Sequence, residues 1–383
     1  MNTKLLKQKI LENFLEGDWE NVKLGKVCEI NPKNKIDDHT EVSFIPMTLI
    51  QDGFANKHIS EIKKWQYVKK GFTHFQESDI GIAKITPCFE NRKSIIFKNL
   101  ENGFGAGTTE LHILRPNNEI ILTEFVFWII KTEEFIQNGI KNFTGAVGQQ
   151  RVGKNIISDF DIPLPPLPVQ RQIVSQIETL FAEIDRIELS RQNLLQLVKI
   201  ARQKTLKDFL DGDWERVKLG EVCDVKMGQS PDGQSVSENN SGVEFHQGKI
   251  CFTEKYLRNS EVYTSQPKKI AEAKSLLLCV RAPVGVVNIT ERKICIGRGL
   301  CAINPKKDID MMFVYYWLQT METEFNEKAT GTTFKAISGD IIKNSLISIP
   351  FKDSKPNLFV QRQIVSKIEE IFGEIEQIER AIK

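Results

Sequence analysis

Apolar residues recur at steps of four and three along two stretches of the chain. In 169–211 they fall at Ile173, Ile177, Leu180, Ile184, Ile187, Leu194, Val198 and Ala201. This is a heptad seam in which Arg191 takes one seam position. A second seam runs through Ile364, Ile368, Ile371, Ile375, Ile378 and Ile382. Both stretches predict long helices. Pro163, Pro165, Pro166 and Pro168 stop anything helical before the first, and Gly212 is a natural terminator after it. At 1.5 Å per residue the first helix is a rod of about 60 Å. Elsewhere the apolar runs are short. Residues 80–85, 94–98 and 110–116 read as strands, and 125–140 as a helix packing through one aromatic and aliphatic face. Residues 275–289 and 294–305 read as strands around tight turns, and 311–325 repeats the helix. The order strand, turn, strand, helix thus occurs twice.

The sequence itself repeats only around these segments. Residues 7–30 and 202–225 share 15 of 24 positions, including the frames Gly17-Asp18-Trp19-Glu20 and Gly212-Asp213-Trp214-Glu215. Residues 169–188 and 360–379 share 14 of 20, both opening on Val-Gln-Arg-Gln-Ile-Val. The inserts 31–143 and 226–329 share little, although Thr144-Gly145 and Thr330-Gly331 close them alike. The chain is two copies of one unit, a similar frame around divergent inserts. The central helix leaves the first insert and enters the second; the C-terminal helix leaves the second and the N-terminal helix enters the first. A two-fold relation between the halves then requires antiparallel rods. The two terminal helices together nearly reconstitute one central helix, about one turn short, so the chain reads as a nearly circular object cut within its second rod. Charge agrees: Lys199, Arg202, Lys204 and Lys207 crowd the end of the central helix, and Glu369, Glu370, Glu374, Glu376 and Glu379 line the C-terminal one. Exposed pairs of this kind stabilise only modestly.

Composition narrows the functional classes. Of 383 residues, 40% are hydrophobic and 27% charged, which suits a protein with packed cores. No run approaches the roughly 20 apolar residues of a membrane span, and the N-terminus lacks a secretory h-region. A cytoplasmic location is expected. The cysteines Cys28, Cys88, Cys223, Cys251, Cys279, Cys295 and Cys301 form no C-x-x-C pair and are expected to be buried, reduced thiols. A net charge of +2 is low for a lone DNA-binding domain and counts against that role unless a partner supplies much of the phosphate contact.

Polar donors cluster at predicted turns. The first insert offers Lys84, Arg92, Lys93, Thr108, Thr109, Glu110, Gln149, Gln150 and Arg151; the second offers Arg281, Arg298, Thr332, Thr333 and Lys335. Arg and Lys suit guanine edges and phosphates, Gln suits adenine, and Glu suits cytosine. Loops on a rigid scaffold are where such readers sit. Taken singly, each is better explained as a solvated side chain or a phosphate contact than as a base reader. Catalytic look-alikes fail on context. Gly103-Phe104-Gly105-Ala106-Gly107 imitates a nucleotide-binding turn, but a strand follows it where a helix is needed, so a tight glycine turn between strands is expected. Gly148-x4-Gly153-Lys154-Asn155 lacks the Ser/Thr that would hold magnesium. His39, His58, His74, His112 and His246 show no metal-binding spacing. No catalytic residue and no metal site is expected.

These segments resemble the specificity subunits of type I restriction–modification enzymes. The resemblance covers nearly the whole length and rests on 161–185, 17–25, 212–220, 75–94, 103–116, 279–300 and 330–342. The proline-rich run followed by Val-Gln-Arg-Gln-Ile-Val, present twice, weighs most. It implies an α+β (mixed α/β) fold, with two globular target-recognition domains at 17–162 and 213–355. Conserved helices would lie at 1–16, 163–212 and 356–383, the two long antiparallel coiled-coil rods giving a pseudo-two-fold, near-circular repeat. Each domain would read one half of an asymmetric bipartite site in double-stranded DNA, the helices setting the spacer. Two modification subunits would bind S-adenosylmethionine and methylate adenine N6. Two restriction subunits would use ATP and Mg, leaving this chain without a cofactor and without a membrane role. Many family members continue beyond the position of Lys383, and the N-terminal helix is expected to complete the second rod here. The other classes open to the sequence are a self-contained DNA methyltransferase or nuclease and a coiled-coil partner-binding protein without a DNA role.

Overall fold

A computed structural model of the chain describes residues 2–146, 148–239, 241–331 and 335–383. It divides into two compact units, 1–190 and 191–383. The boundary falls inside the central helix, Leu167–Leu210, which is 44 residues long. That helix is therefore shared rather than a separate piece. Its fully buried apolar positions stop at Ile184 and resume at Val198, because each half packs on its own globular part.

Each globular part is closed by its two ends. In the first unit Asn21–Lys23 pairs antiparallel with Asp161–Pro163, Val22 opposite Ile162. In the second, Glu215–Lys218 pairs with Leu346–Ile349, Val217 opposite Ile347. Just outside each closure, Trp19 and Trp214 fold over Gly17 and Gly212, where a Cβ would sit about 2.5 Å from the indole ring. The repeated Gly-Asp-Trp frame is this close approach.

Inside the closures the topologies match although the sequences do not. The first unit holds an antiparallel sheet ordered Cys28–Ile30, Leu111–Pro116, Ile80–Ala83, Ser94–Ile96. The second holds Cys223–Met227, Leu300–Pro305, Leu276–Cys279, Val287–Ile289 in the same order. A mixed sheet accompanies each. Its hallmark is one parallel pair: Glu41–Ile45 beside Phe104–Gly107, and Val243–His246 beside Ile294–Ile296. The predicted helix at 125–140 is two helices, Thr123–Ile129 and Glu133–Lys141, with the Thr132 hydroxyl capping the second. Its counterpart likewise breaks into Met311–Thr320 and Glu322–Lys328.

The glycine-rich turn expected at 103–107 is a strand from Phe104 onward. A Cβ on Gly107 would meet the Ile45 carbonyl at 2.4 Å. The glycines allow two strands to approach rather than a phosphate to enter.

The helical seam also shifts from its expected register. Ile173, Ile177, Ile184 and Val198 are buried, but Leu180, Ile187 and Leu194 are exposed, and so is Ala201. In the C-terminal helix, Leu358–Ile382, the buried line is Val365, Ile368, Phe372 and Ile375; Ile364, Ile371 and Ile382 are half-buried and Ile378 is exposed. Phe181 and Phe372 take the central places. Phe181 stacks edge-on against Phe54 and Trp128, with ring centres 5.6 and 5.0 Å away. Phe372 meets Tyr316 at 5.6 Å. The strict heptad is displaced because these helices bury one flank against a globular part as well as against a neighbouring helix.

Within each unit, one helix runs toward the globular part and one runs away, so the two lie in opposite senses. The contact between them is conserved across the repeat. In the first unit Lys7, on the helix Thr3–Leu15, pairs with Asp185 at 2.6 Å and lies 4.9 Å over the Phe181 ring. In the second, Arg202 pairs with Glu376 at 3.8 Å and Glu379 at 3.3 Å, and lies 5.1 Å over Phe372. Of the four basic residues at the end of the central helix, Arg202 makes the expected contact with the acidic stretch. Each rod-to-domain joint is pinned by one buried glutamine. Gln170 accepts from Leu122 N at 2.8 Å and donates to the Pro165 and Ile120 carbonyls at 2.8 and 3.1 Å. Gln361 accepts from Asp310 N at 2.8 Å and donates to the Asp308 carbonyl at 3.2 Å. This is why the first glutamine of Val-Gln-Arg-Gln is repeated.

Candidate nucleic-acid interface

The candidate readers converge on one backbone arrangement that occurs in both units. A hairpin closes on itself through Thr144 and Arg151, with bonds of 3.0 and 2.8 Å, and through Thr330 and Ala336, with bonds of 3.0 and 2.9 Å. Its returning strand joins a sheet end: Val152 N donates to the Lys84 carbonyl at 2.9 Å and Thr86 N to Gln150 at 3.0 Å. In the second unit Ile337 N donates to Val280 at 3.0 Å and Ala282 N to Lys335 at 3.1 Å. A neighbouring turn completes it, Lys84 N to the Glu110 carbonyl and Val280 N to the Gly299 carbonyl, at 3.0 and 2.9 Å. Thr86-Pro87 and Ala282-Pro283 are cis in both.

These bonds make Lys84 of the first unit equivalent in position to Val280 of the second, Ile85 to Arg281, Glu110 to Gly299, Gln150 to Lys335, and Arg151 to Ala336. The backbone is held and the side chains are exchanged. In the first unit Arg151 grips Glu110 through two bonds of 2.9 Å and donates a third, of 3.0 Å, to the Gln149 carbonyl. The Arg151 bonds hold the Glu110 carboxyl below its usual range, against the opposing pull of partial burial; Lys84 adds to the lowering. Thr108 accepts from Glu110 N at 3.1 Å, and Thr109 is exposed beside it. Lys93 is half-buried and donates to the Met47 carbonyl at 3.0 Å. Gln149 is exposed and Gln150 half-buried. Lys154, passed over within the near-P-loop motif, lies close enough with Lys84 to hold the His112 imidazole further down, after burial itself.

In the second unit Arg281, Arg298 and Lys335 are exposed. Arg298 sits on a loop whose backbone N donates to the Ser230 hydroxyl at 3.4 Å, and that hydroxyl donates to Gln247 at 2.8 Å. Gln229, Ser230 and Gln247 were not singled out from sequence; the polar run Gly228-Gln229-Ser230-Pro231-Asp232-Gly233 was the available signal. Thr332 and Thr333 lie outside the described residues.

Arg92 does not belong to this surface. It is 6% exposed, donates to the Lys131 carbonyl at 2.9 Å and to Gln8 at 3.1 Å, and pairs with Glu133. Its donors are consumed by joining the N-terminal helix to the domain. Lys131, beneath it, is fully buried, and its ammonium donates to the carbonyls of Arg92, Gly53 and Ser94 at 2.7, 2.8 and 3.1 Å. In the second unit a comparable buried cluster pins the mixed sheet. Glu244 accepts two bonds of 2.6 Å from Arg292, one of 2.7 Å from His246 and one of 2.6 Å from Ser260 N. Burial pushes the Glu244 carboxyl up, but these partners outweigh it and hold it at about 2.

The cysteines are free, six buried and Cys88 half-buried; burial pushes Cys28, Cys223 and Cys301 up to about 12. Among the described residues, no group of three or more His, Cys, Asp or Glu could hold a metal, and no helix is long and apolar enough to cross a membrane.

The family described as the type I restriction modification DNA specificity domain matches residues 16–197 and again 211–383. The chain belongs to the type I restriction–modification specificity family. Relatives agree. The putative type I restriction enzyme MjaX specificity subunit of Methanocaldococcus jannaschii is 32% identical over 293 residues, 71% of this chain and 68% of that protein. The EcoAI specificity subunit of Escherichia coli is 44% identical over 203 residues, 51% of this chain; the match spans about a third of that relative's length, 34%. Among solved structures, a chain from a study of complex assembly and conformational transition of the type I R-M system superposes with a TM-score of 0.82 at 26% identity. That match covers 96% of this chain and 93% of the other. The HsdS subunit from Thermoanaerobacter tengcongensis gives 0.64 at 25% identity, covering 96% and 92%. The specificity family's two matches bracket the two closed globular parts described above.

Proposed function

We propose that this chain is the DNA-reading subunit of a type I restriction–modification assembly and makes or breaks no bonds itself. Each globular part reads one half of an asymmetric, split site in double-stranded DNA, and the long helices set the spacing between halves. Two modification subunits carrying S-adenosylmethionine and two restriction subunits using ATP and Mg supply the chemistry, in the cytoplasm. Modification subunits dock on the repeated helices, and they share the phosphate contacts that a chain of net charge +2 does not make alone. The observation that carries this reading is the hairpin-and-turn frame present in both units with different side chains at matched positions. A single active site needs one constellation; two half-sites of different sequence need one support and two sets of donors. Phosphate contacts position such a complex, and base-edge contacts choose the sequence.

The test is methylome sequencing of the reconstituted assembly. Replacing residues 31–143 with the insert of another family member changes one half-site and leaves the other. Adding seven residues to the exposed middle of the central helix lengthens it by about 10 Å, which widens the spacer by roughly three base pairs at 3.4 Å per step, with both half-sites retained. A swap that altered both halves, or neither, refutes the proposal. So does methyl transfer by this chain without a partner.

A further inference from the structure

We infer that Arg151 reads a guanine in the half-site of the first unit and that Glu110 is the residue that positions it; this rests on the DNA-reading function proposed above. A guanidinium has five N–H donors. Glu110 takes the Nε hydrogen and one from Nη2, at 2.9 Å each, and the Gln149 carbonyl takes one from Nη1 at 3.0 Å. One N–H remains on each terminal nitrogen. The side-on grip fixes the plane of the group and leaves a donor on each terminal nitrogen, and the terminal edge is the one with which arginine matches O6 and N7 of guanine in the major groove.

Three further observations favour a base edge over a phosphate. The Arg151 charge is already balanced by Glu110, which weakens its attraction to the backbone. Lys84 lies near Glu110 and His112, and Lys154 near His112, and these two ammonium groups are the better phosphate contacts. Finally, the hairpin carries Gly145 and Gly148 in the left-handed region, at φ +109° and +83°, with nothing within 4 Å of a Cβ on Gly148, so these two positions place no side chain between Arg151 and a groove. A simple hairpin brace does not account for the pattern. The second unit closes the same hairpin with Ala336 and Gly299 at these places and with backbone bonds of the same length. The pair is therefore dispensable to the frame and specific to one unit.

The experiment is methylome sequencing of the assembly carrying wild-type chain, Arg151→Ala, Arg151→Lys or Glu110→Gln, with thermal melting of each purified chain. The half-site assigned to the first unit by the insert exchange contains one G·C pair that Arg151→Ala no longer requires, discrimination at that position falling about tenfold or more. Arg151→Lys, a point charge without a fork, loses it too. Glu110→Gln loosens the same position less. The other half-site and the spacer do not change. Loss of modification spread evenly over all sequences would make Arg151 a phosphate contact and overturn the inference. A lower melting temperature with unchanged base preference, or a half-site lacking any G·C pair, would also overturn it. A wild-type assembly that modifies no split site refutes the underlying function instead.

Discussion

Gln170→Leu removes a side chain of similar length and all of its hydrogen bonds. Three are lost: one accepted from Leu122 N and two donated to the Pro165 and Ile120 carbonyls. At about 1 kcal/mol net for a typical bond, the loss is about 3 kcal/mol, and more if the Pro165 carbonyl stays buried without a partner. The matched change Gln361→Leu breaks two bonds, to Asp310 N and the Asp308 carbonyl, for about 2 kcal/mol. In units of this size 1 kcal/mol moves the melting point by roughly 2–4 °C. The first unit should therefore melt roughly 6–12 °C lower and the second roughly 4–8 °C lower. Because two units need not melt together, hydrogen exchange resolved by peptide is the assay. Gln170→Leu should raise exchange at 118–126 and 165–175 and leave 308–314 unchanged; Gln361→Leu should do the reverse. If Gln170→Leu costs under 0.5 kcal/mol, or if both variants loosen both joints equally, the glutamines are not the pins described here.

Two further outcomes follow from buried charge. Arg92→Leu leaves Gln8 and the Lys131 carbonyl without their shared donor, while Glu133, nearly half exposed, keeps its hydration, and stability of the first unit should fall by about 1–3 kcal/mol, read by chemical denaturation; DNA affinity per folded molecule, measured on the assembly, should be unchanged. Glu244 is held at about 2, below its ordinary value. Its contribution is therefore complete above pH 4.5 and is lost as pH falls from there toward 2. Melting of the second unit between pH 7 and 3 should show that descent, and Glu244→Gln should start lower at pH 7 and fall less. A wild-type curve flat to pH 3 would remove the carboxylate from this role.

Much of the frame was legible in the sequence because it is local and repeated. Helix ends and the repeated Gly-Asp-Trp frames each leave a signature within a few residues, whereas the closing strands leave none. The recurring order of strand, turn, strand and helix was legible in the inserts, but their strand pairing was not, since it depends on pairs such as Ser43 with Gly105 and Phe245 with Cys295, far apart along the chain and joined by no common sequence. Periodicity placed Ile173, Ile177, Ile184, Ile368 and Ile375 in the seam, where they are buried, but missed Phe181 and Phe372 among them, because a helix facing two neighbours at once widens its buried stripe. Arg92 looked like a surface donor beside Lys93. What removes it from solvent is Gln8 and Glu133, partners 84 and 41 residues away. Arg151 and Glu110, by contrast, looked like two separate polar turns, and only the fold joins them.

The paired strands that shut each globular part have a consequence for how such a chain can change. With Val22 beside Ile162 and Val217 beside Ile347, everything between leaves and rejoins the scaffold at one doorway. A stretch of foreign chain can plug in where it begins and finishes as neighbours and gives the central helix the seat that Leu122 and Trp128 provide here. Within those bounds a new preference can be acquired in one genetic exchange without disturbing the bars that carry it.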